Sequence, residues 1–370
     1  MSNNIRPLLN KPSRNYSIDL LRVISMCMIV ALHVIGRCSL IDNSQPGSIR
    51  FVAYWVIEAI CLCGVNCFGL ISGYVGYKSR HRLSGIFKLW LEIASIVFIG
   101  NCILVICGAI DMKTALVQSF FPITTRYYWF ASAYIALCFF MPLIDSAIQH
   151  CSPSSVKLAL VAFFLLASCC SLLPWDSAPY SLEGGYSIAW LAYLYAVGAF
   201  FKKNGLPCLS RCKHLGVFFC CVASTVLLRA ILPYQTGVLG QLDLLTWSPR
   251  LDNYVSPFIL LQAVALLGYF LSVKVPDALQ TGLRHITPYI FGIYLIHDHR
   301  LVGIFVFPKL ASAILNLSTP YAIVTCNCLV ALIFIVSLIL SVLRTLALNH
   351  TPLISFPEKI EKLVLSLVNR

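Results

Sequence analysis

From about residue 17 onward the chain is a succession of apolar runs, most of them long enough to cross a bilayer, and this constrains the fold more than any motif does. Runs of roughly 17 to 25 residues fall near 17–38, 51–73, 86–110, 127–149, 156–173, 186–201, 214–232, 254–273, 286–307 and 320–343. The sixth is short, and the ninth is interrupted by His297, Asp298, His299 and Arg300. Hydrocarbon offers the backbone no hydrogen bonds, so each run reads as a helix. With 59% hydrophobic and 11% charged residues, a soluble globular protein is excluded. The expected fold is all-α, a polytopic membrane helix bundle of about ten transmembrane helices.

The formal net charge of +13 points to nucleic acid only in a soluble domain; here its distribution sets orientation. With the N-terminus inside, cytoplasmic segments hold about 18 of the 27 Lys and Arg, the excess that defines the positive-inside rule. Both termini are therefore predicted cytoplasmic, in a multi-pass protein of the cell membrane, with the bilayer as a partner and no nucleic acid. The stretch MSNNIRPLLNKPSRNYSIDL lacks a small-residue cleavage site, so the first apolar run is expected to stay as a helix. Residues 1–345 form the expected transmembrane domain, and 346–370 a short cytoplasmic tail ending in SFPEKIEKLVLSLVNR, a pattern for an interfacial amphipathic helix. The longest external connections are Pro233 to Asn253 and LLPWDSAPYSLEGGYS, where an extracytoplasmic substrate is gripped if there is one. No internal repeat is visible. The 17 cysteines sit mostly inside apolar runs, and Cys208 and Cys212 have no second pair at ligand spacing, so neither a metal nor a disulfide framework is expected.

The first apolar run, LLRVISMCMIVALHVIGR, carries an arginine at its start and a histidine in its depth. Arg22 and His33 are eleven residues apart, three helical turns plus about 20°, so they share one stripe and are separated by roughly 16 Å along the axis. Asp19 lies one turn before Arg22 on the same face. Such groups are costly in hydrocarbon and face a cavity or a partner. Two readings remain open from spacing alone: Arg22 snorkels while His33 bonds a neighbouring helix, or His33 is a general base.

The segment IDLLRVISMCMIVALHV, with Asp19, Arg22 and His33, resembles the opening helix of the membrane-bound acyltransferase 3 family, whose members transfer acyl groups, often acetyl, onto carbohydrates. GVNCFGLISGYVGY resembles the family's Ser-Gly-Tyr block, here Ser72, Gly73 and Tyr74. KSRHR contains Arg80, His81 and Arg82, similar to its Arg-x-Arg pair, and IYLIH, ending at His297, is similar to its late Tyr-Leu-x-His signature. The order and spacing of these blocks, from about residue 14 to about residue 300, are more specific than any one of them, and their style is similar to members from surface-polysaccharide loci.

The resemblance implies an integral membrane O-acyltransferase, with acetyl-CoA or another acyl-CoA as donor and a hydroxyl of a cell-surface glycan or lipid-linked sugar as acceptor. His33 becomes the base, and Arg22 a group beside it that contacts the donor or holds Asp19. Arg80 and Arg82 are placed to bind the donor phosphates by bidentate, charge-assisted bonds, although KSRHR also reads as an ordinary positive-inside anchor. Asp19, Ser72, Tyr74, Trp129 and His297 are the expected site-lining residues. Trp129, with Tyr127, Tyr128 and Tyr134, fits an interfacial aromatic belt or a sugar-stacking surface. The quartet His297 to Arg300 fits an acceptor-side site, a partner for His33, or a helix cap. Glu58, Glu92, Asp145 and Arg229 are further intramembrane polar groups without a rank. No serine or cysteine has an adjacent base, which favours direct transfer. The competing class is a transporter or flippase for a glycan or small solute; a sensor or scaffold is a third. Oligomeric state is left open.

Overall fold

The structure is a computed structural model that describes residues 14–79, 81–172, 182–207, 209–232 and 251–368. Arg80, Cys208, most of the Pro233 to Asn253 connection and part of the Leu172 to Ser187 connection lie outside the described residues. Among the described residues every regular element is a helix. Six are long and apolar enough to cross a membrane: Tyr16–Arg37, Ile49–Gly76, Leu83–Ile106, Trp129–His150, Arg211–Ile231 and Thr319–Asn349. A seventh span arises if Asp277–His297 and Arg300–Leu315, bent by 51° at their junction, count as one. The other expected spans are the shorter helices Pro153–Cys169, Ile188–Asn204 and Pro257–Leu271. Length explains why these do not qualify by themselves: the 15 residues of the last reach about 22 Å, against a hydrocarbon core of about 30 Å.

In chain order the elements used below are α1 (Tyr16–Arg37), α2 (Ile49–Cys61), α3 (Gly64–Gly76), α4 (Leu83–Ile106), α5 (Met112–Phe120), α6 (Trp129–His150), α7 (Pro153–Phe164), α8 (Ile188–Asn204), α9 (Arg211–Val226), α10 (Pro257–Leu271), α11 (Asp277–Ile286), α12 (Ile290–His297), α13 (Arg300–Phe305), α14 (Phe307–Leu315), α15 (Thr319–Asn349) and α16 (Phe356–Val368). The Asn15 side chain starts α1 by accepting the Ser17 and Ile18 amides. From there α1 runs through the middle of the bundle, packed on α2, α3, α10, α12 and α15. Ile18, Leu21, Val30, Val34 and Ile35 lose nearly all contact with solvent or lipid.

The crossing of α3 with α8 is set by glycine. A Cβ on Gly73 would lie 1.9 Å from the Tyr195 carbonyl oxygen, and one on Gly198 would lie 2.1 Å from that of Leu70. Gly69 and Gly73 share one face at the spacing that lets membrane helices touch backbone to backbone. This is the physical content of the glycine in the SGY block. By contrast α15 is peripheral, with Leu332, Ile335, Ile339 and Leu343 exposed, as a lipid-facing helix requires. The tail helix α16 lies against α4, where Lys88 Nζ donates to Glu358 Oε1 at 2.9 Å.

Candidate active site

α1 and α12 bring the two histidines of the sequence motifs together: His33 Nδ1 lies 2.9 Å from His297 Nε2. The protons follow from the far end of the chain of bonds. The Ile293 carbonyl can only accept, and His297 Nδ1 is 2.6 Å from it, so that nitrogen carries the hydrogen. In a neutral ring His297 Nε2 then accepts, and His33 Nδ1 must donate to it. The remaining nitrogen, His33 Nε2, is left with a lone pair. Exposure separates the two rings: His297 is 1% exposed, whereas the His33 side chain keeps 22%. His33 thus carries the more accessible ring, and His297 is the group that holds its tautomer. Asp298 Oδ1, 3.7 Å from His33 Nδ1, also accepts from Arg37 Nη2 at 2.7 Å.

His33 stands where two cavities meet. The first, about 350 Å³, extends toward Arg22 and is walled mainly by apolar side chains such as Met26, Ile29, Phe68 and Phe291. The second, about 430 Å³, opens toward Arg37 and contains Glu58, Asp252 and Asp298. Leu32, His33, Trp129 and Tyr254 belong to both walls. The first is mainly apolar and the second more polar, with His33 between them. That arrangement suits transfer between two bound molecules.

The acyltransferase 3 family model, described as an acyltransferase domain, matches residues 15–345. The chain belongs to the acyltransferase 3 family. No curated protein and no solved structure matches it. Family membership together with the membrane-length apolar helices makes the chain a membrane acyltransferase, which displaces the transporter and scaffold classes.

The remaining expected site residues of this acyltransferase divide by position. Arg22 lines the first cavity and donates from Nη1 to Asp19 Oδ1 at 2.8 Å. Asp19 is not in either wall; its second oxygen accepts from Arg14 Nε at 2.5 Å, so it is a support for the arginines. Ser72 is in the first cavity's wall, its hydroxyl turned to the Phe68 carbonyl at 2.8 Å. Tyr74 lies outside both walls, with Lys202 Nζ 4.8 Å from its ring centre. Trp129 lines the junction, its ring stacked on Tyr254 with centres 5.8 Å apart. It is therefore a wall of the cavities as well as the start of α6. Arg82 is exposed and precedes α4, away from both cavities; Arg80 lies outside the described residues. The turn before Arg82 is fastened by Asp145, which accepts from the Lys78 amide at 3.1 Å and from Tyr195 Oη at 2.9 Å and lies 3.0 Å from His81 Nε2.

The quartet at the break between α12 and α13 splits residue by residue. His297 meets His33 and Asp298 meets Arg37. His299 caps α13, its Nδ1 accepting the Leu301 amide at 3.0 Å, and Arg300 lies over the Tyr127 ring. The histidine ring of the cap fits because Gly100 faces it, where a Cβ would be 2.2 Å away. Three contributors had no separate place in the sequence reading. Arg37 lies one turn beyond His33, so i,i+4 spacing was its available signal. Tyr294 stands inside the IYLIH block; it is buried in the first cavity's wall, and its hydroxyl donates to no acceptor among the described residues. Tyr254, far away in the chain, had no signal at all.

Proposed function

We propose that this membrane acyltransferase moves an acyl group, acetyl being the expected one, from acyl-CoA to a hydroxyl of a cell-surface glycan or lipid-linked sugar, with His33 as general base. The observation that carries it is the hydrogen-bonded series from the Ile293 carbonyl through His297 to His33, a residue that lines both cavities. The acyl-pantetheine arm enters the first cavity past Arg22, with the CoA phosphates outside near the basic residues around Arg82. The acceptor occupies the second cavity. His33 Nε2 takes the hydroxyl proton as the oxygen attacks the thioester carbonyl carbon. The buried Tyr294 hydroxyl, whose hydrogen meets no acceptor among the described residues, is available to the resulting oxyanion. Collapse breaks the carbon–sulfur bond, and the proton on Nε2 passes to the departing thiolate. While His33 is protonated its Nδ1 hydrogen still bonds His297, and the Asp298 carboxylate nearby offsets part of the charge.

Under this reading both termini are cytoplasmic and the first cavity faces the cytoplasm, in accord with the distribution of Lys and Arg. The deciding experiment follows radiolabel from acetyl-CoA into carbohydrate in membranes containing the chain and a surface glycan of its host. Native protein labels the glycan, and His33→Ala at matched expression lowers labelling by roughly 100-fold or more. Equal labelling by both removes His33 as the base.

A further inference from the structure

The second cavity holds a group that the transfer step does not use. Of its three carboxylates, Asp298 is paired with Arg37 at 2.7 Å and Asp252 with Arg229 at 3.3 Å. Glu58 has no hydrogen-bond or ion-pair partner among the described residues, and its Oε2 is buried and unsatisfied. An ionisable side chain within a spanning helix costs about 3 kcal/mol or more, and one left unpaired in a cavity marks a ligand position. Aromatic rings close the same cavity. Trp129 has Tyr254 stacked 5.8 Å away and Tyr186 at 4.5 Å between ring centres. A sugar ring matches this pairing: its C–H face packs on aromatic surface, and adjacent hydroxyls donate to the Glu58 carboxyl oxygens.

We propose that Glu58 is the acceptor-binding carboxylate, and that it restricts the second cavity to sugars offering hydroxyl or ammonium donors while excluding sugars that carry a ring carboxylate. The inference rests on the acyl transfer proposed above. A uronate would bury its charge beside Glu58 with neither nearby arginine free to pair it, since Arg37 is engaged by Asp298 and Arg229 by Asp252. A neutral or amino sugar instead supplies the donors that Glu58 lacks.

The test uses full-length protein in lipid nanodiscs with labelled acetyl-CoA and three acceptors: methyl glucoside, methyl glucosaminide and methyl glucuronide. Native protein is expected to acetylate the first two at least 10-fold faster than the glucuronide. Glu58→Gln, nearly isosteric, is expected to raise the acceptor KM about 10-fold and to narrow that preference by a similar factor, with the melting temperature unchanged. A Glu58→Gln enzyme with native KM and native preference overturns the role of Glu58 and leaves acyl transfer standing, as does a native enzyme that favours the glucuronide. Failure of the native protein to acetylate any of the three overturns the sugar-acceptor reading itself, and this inference with it.

Discussion

A histidine at membrane depth becomes chemically specific only when its second nitrogen is accounted for. His297 does this for His33, since a carbonyl that cannot donate forces one tautomer on both rings. His297→Ala leaves His33 Nδ1 without its acceptor and frees the ring to rotate. The expected result is a fall in kcat of roughly 100-fold, within the range a general base is worth, with KM for both substrates unchanged. His297→Gln, whose Oε1 can accept from Nδ1, recovers part of that loss. A merely structural role for His297 would lower folded yield in both variants and show no such rescue. The stripe of Arg22 and His33 was legible from their spacing. The salt bridge of Arg37 with Asp298 was not, because 261 residues separate its partners.

Helices form here because hydrocarbon leaves the backbone no alternative, yet their closeness depends on what they omit. Gly73 and Gly198 let α3 and α8 touch, and this contact fixes the wall that carries Ser72 against the frame of α1. Gly73→Ala puts a methyl group 1.9 Å from a carbonyl oxygen that belongs to backbone and cannot rotate away. It is expected to destabilise the protein by about 3 kcal/mol, read as a lower melting temperature and folded yield in detergent. Gly216, with nothing within 4 Å of its added Cβ, is the comparison: Gly216→Ala keeps or raises stability by up to about 1 kcal/mol. The positions of the long helices were readable from the apolar runs, as was the break at the HDHR quartet, whereas α5 and all but the last residue of α11 lie outside every run. Their span count was less so. Hydropathy locates an apolar segment, but short segments such as Pro257–Leu271 depend on neighbours to bury their ends.

Across the whole molecule, α1 joins two cavities of opposite character at a single histidine. If the donor and the acceptor enter from opposite faces, transfer is vectorial. In sealed proteoliposomes of defined orientation, acetyl-CoA supplied on the Arg22 face is expected to label sugar supplied only on the Arg37 face. Label found only on sugar sharing the donor's face would place both substrates in the first cavity and end the two-cavity scheme.

What the sequence determined by itself was the class of solvent, the all-helical architecture and the residues dear enough in lipid to demand a reason; composition and one-dimensional spacing suffice for these. The motif blocks likewise lie within short windows, so the family was legible before any coordinates. Only the tertiary structure decided that the two motif histidines touch, that Asp19 supports arginines rather than lining the site, that Tyr74 turns away, and that Glu58 enters the second cavity with no partner among the described residues. Each of these is a matter of which side chains meet across separate helices. Hydrophobicity sets where helices go, whereas rotation about their axes is set by close packing, as at the glycines of α3 and α8, and by the pairing of buried charge.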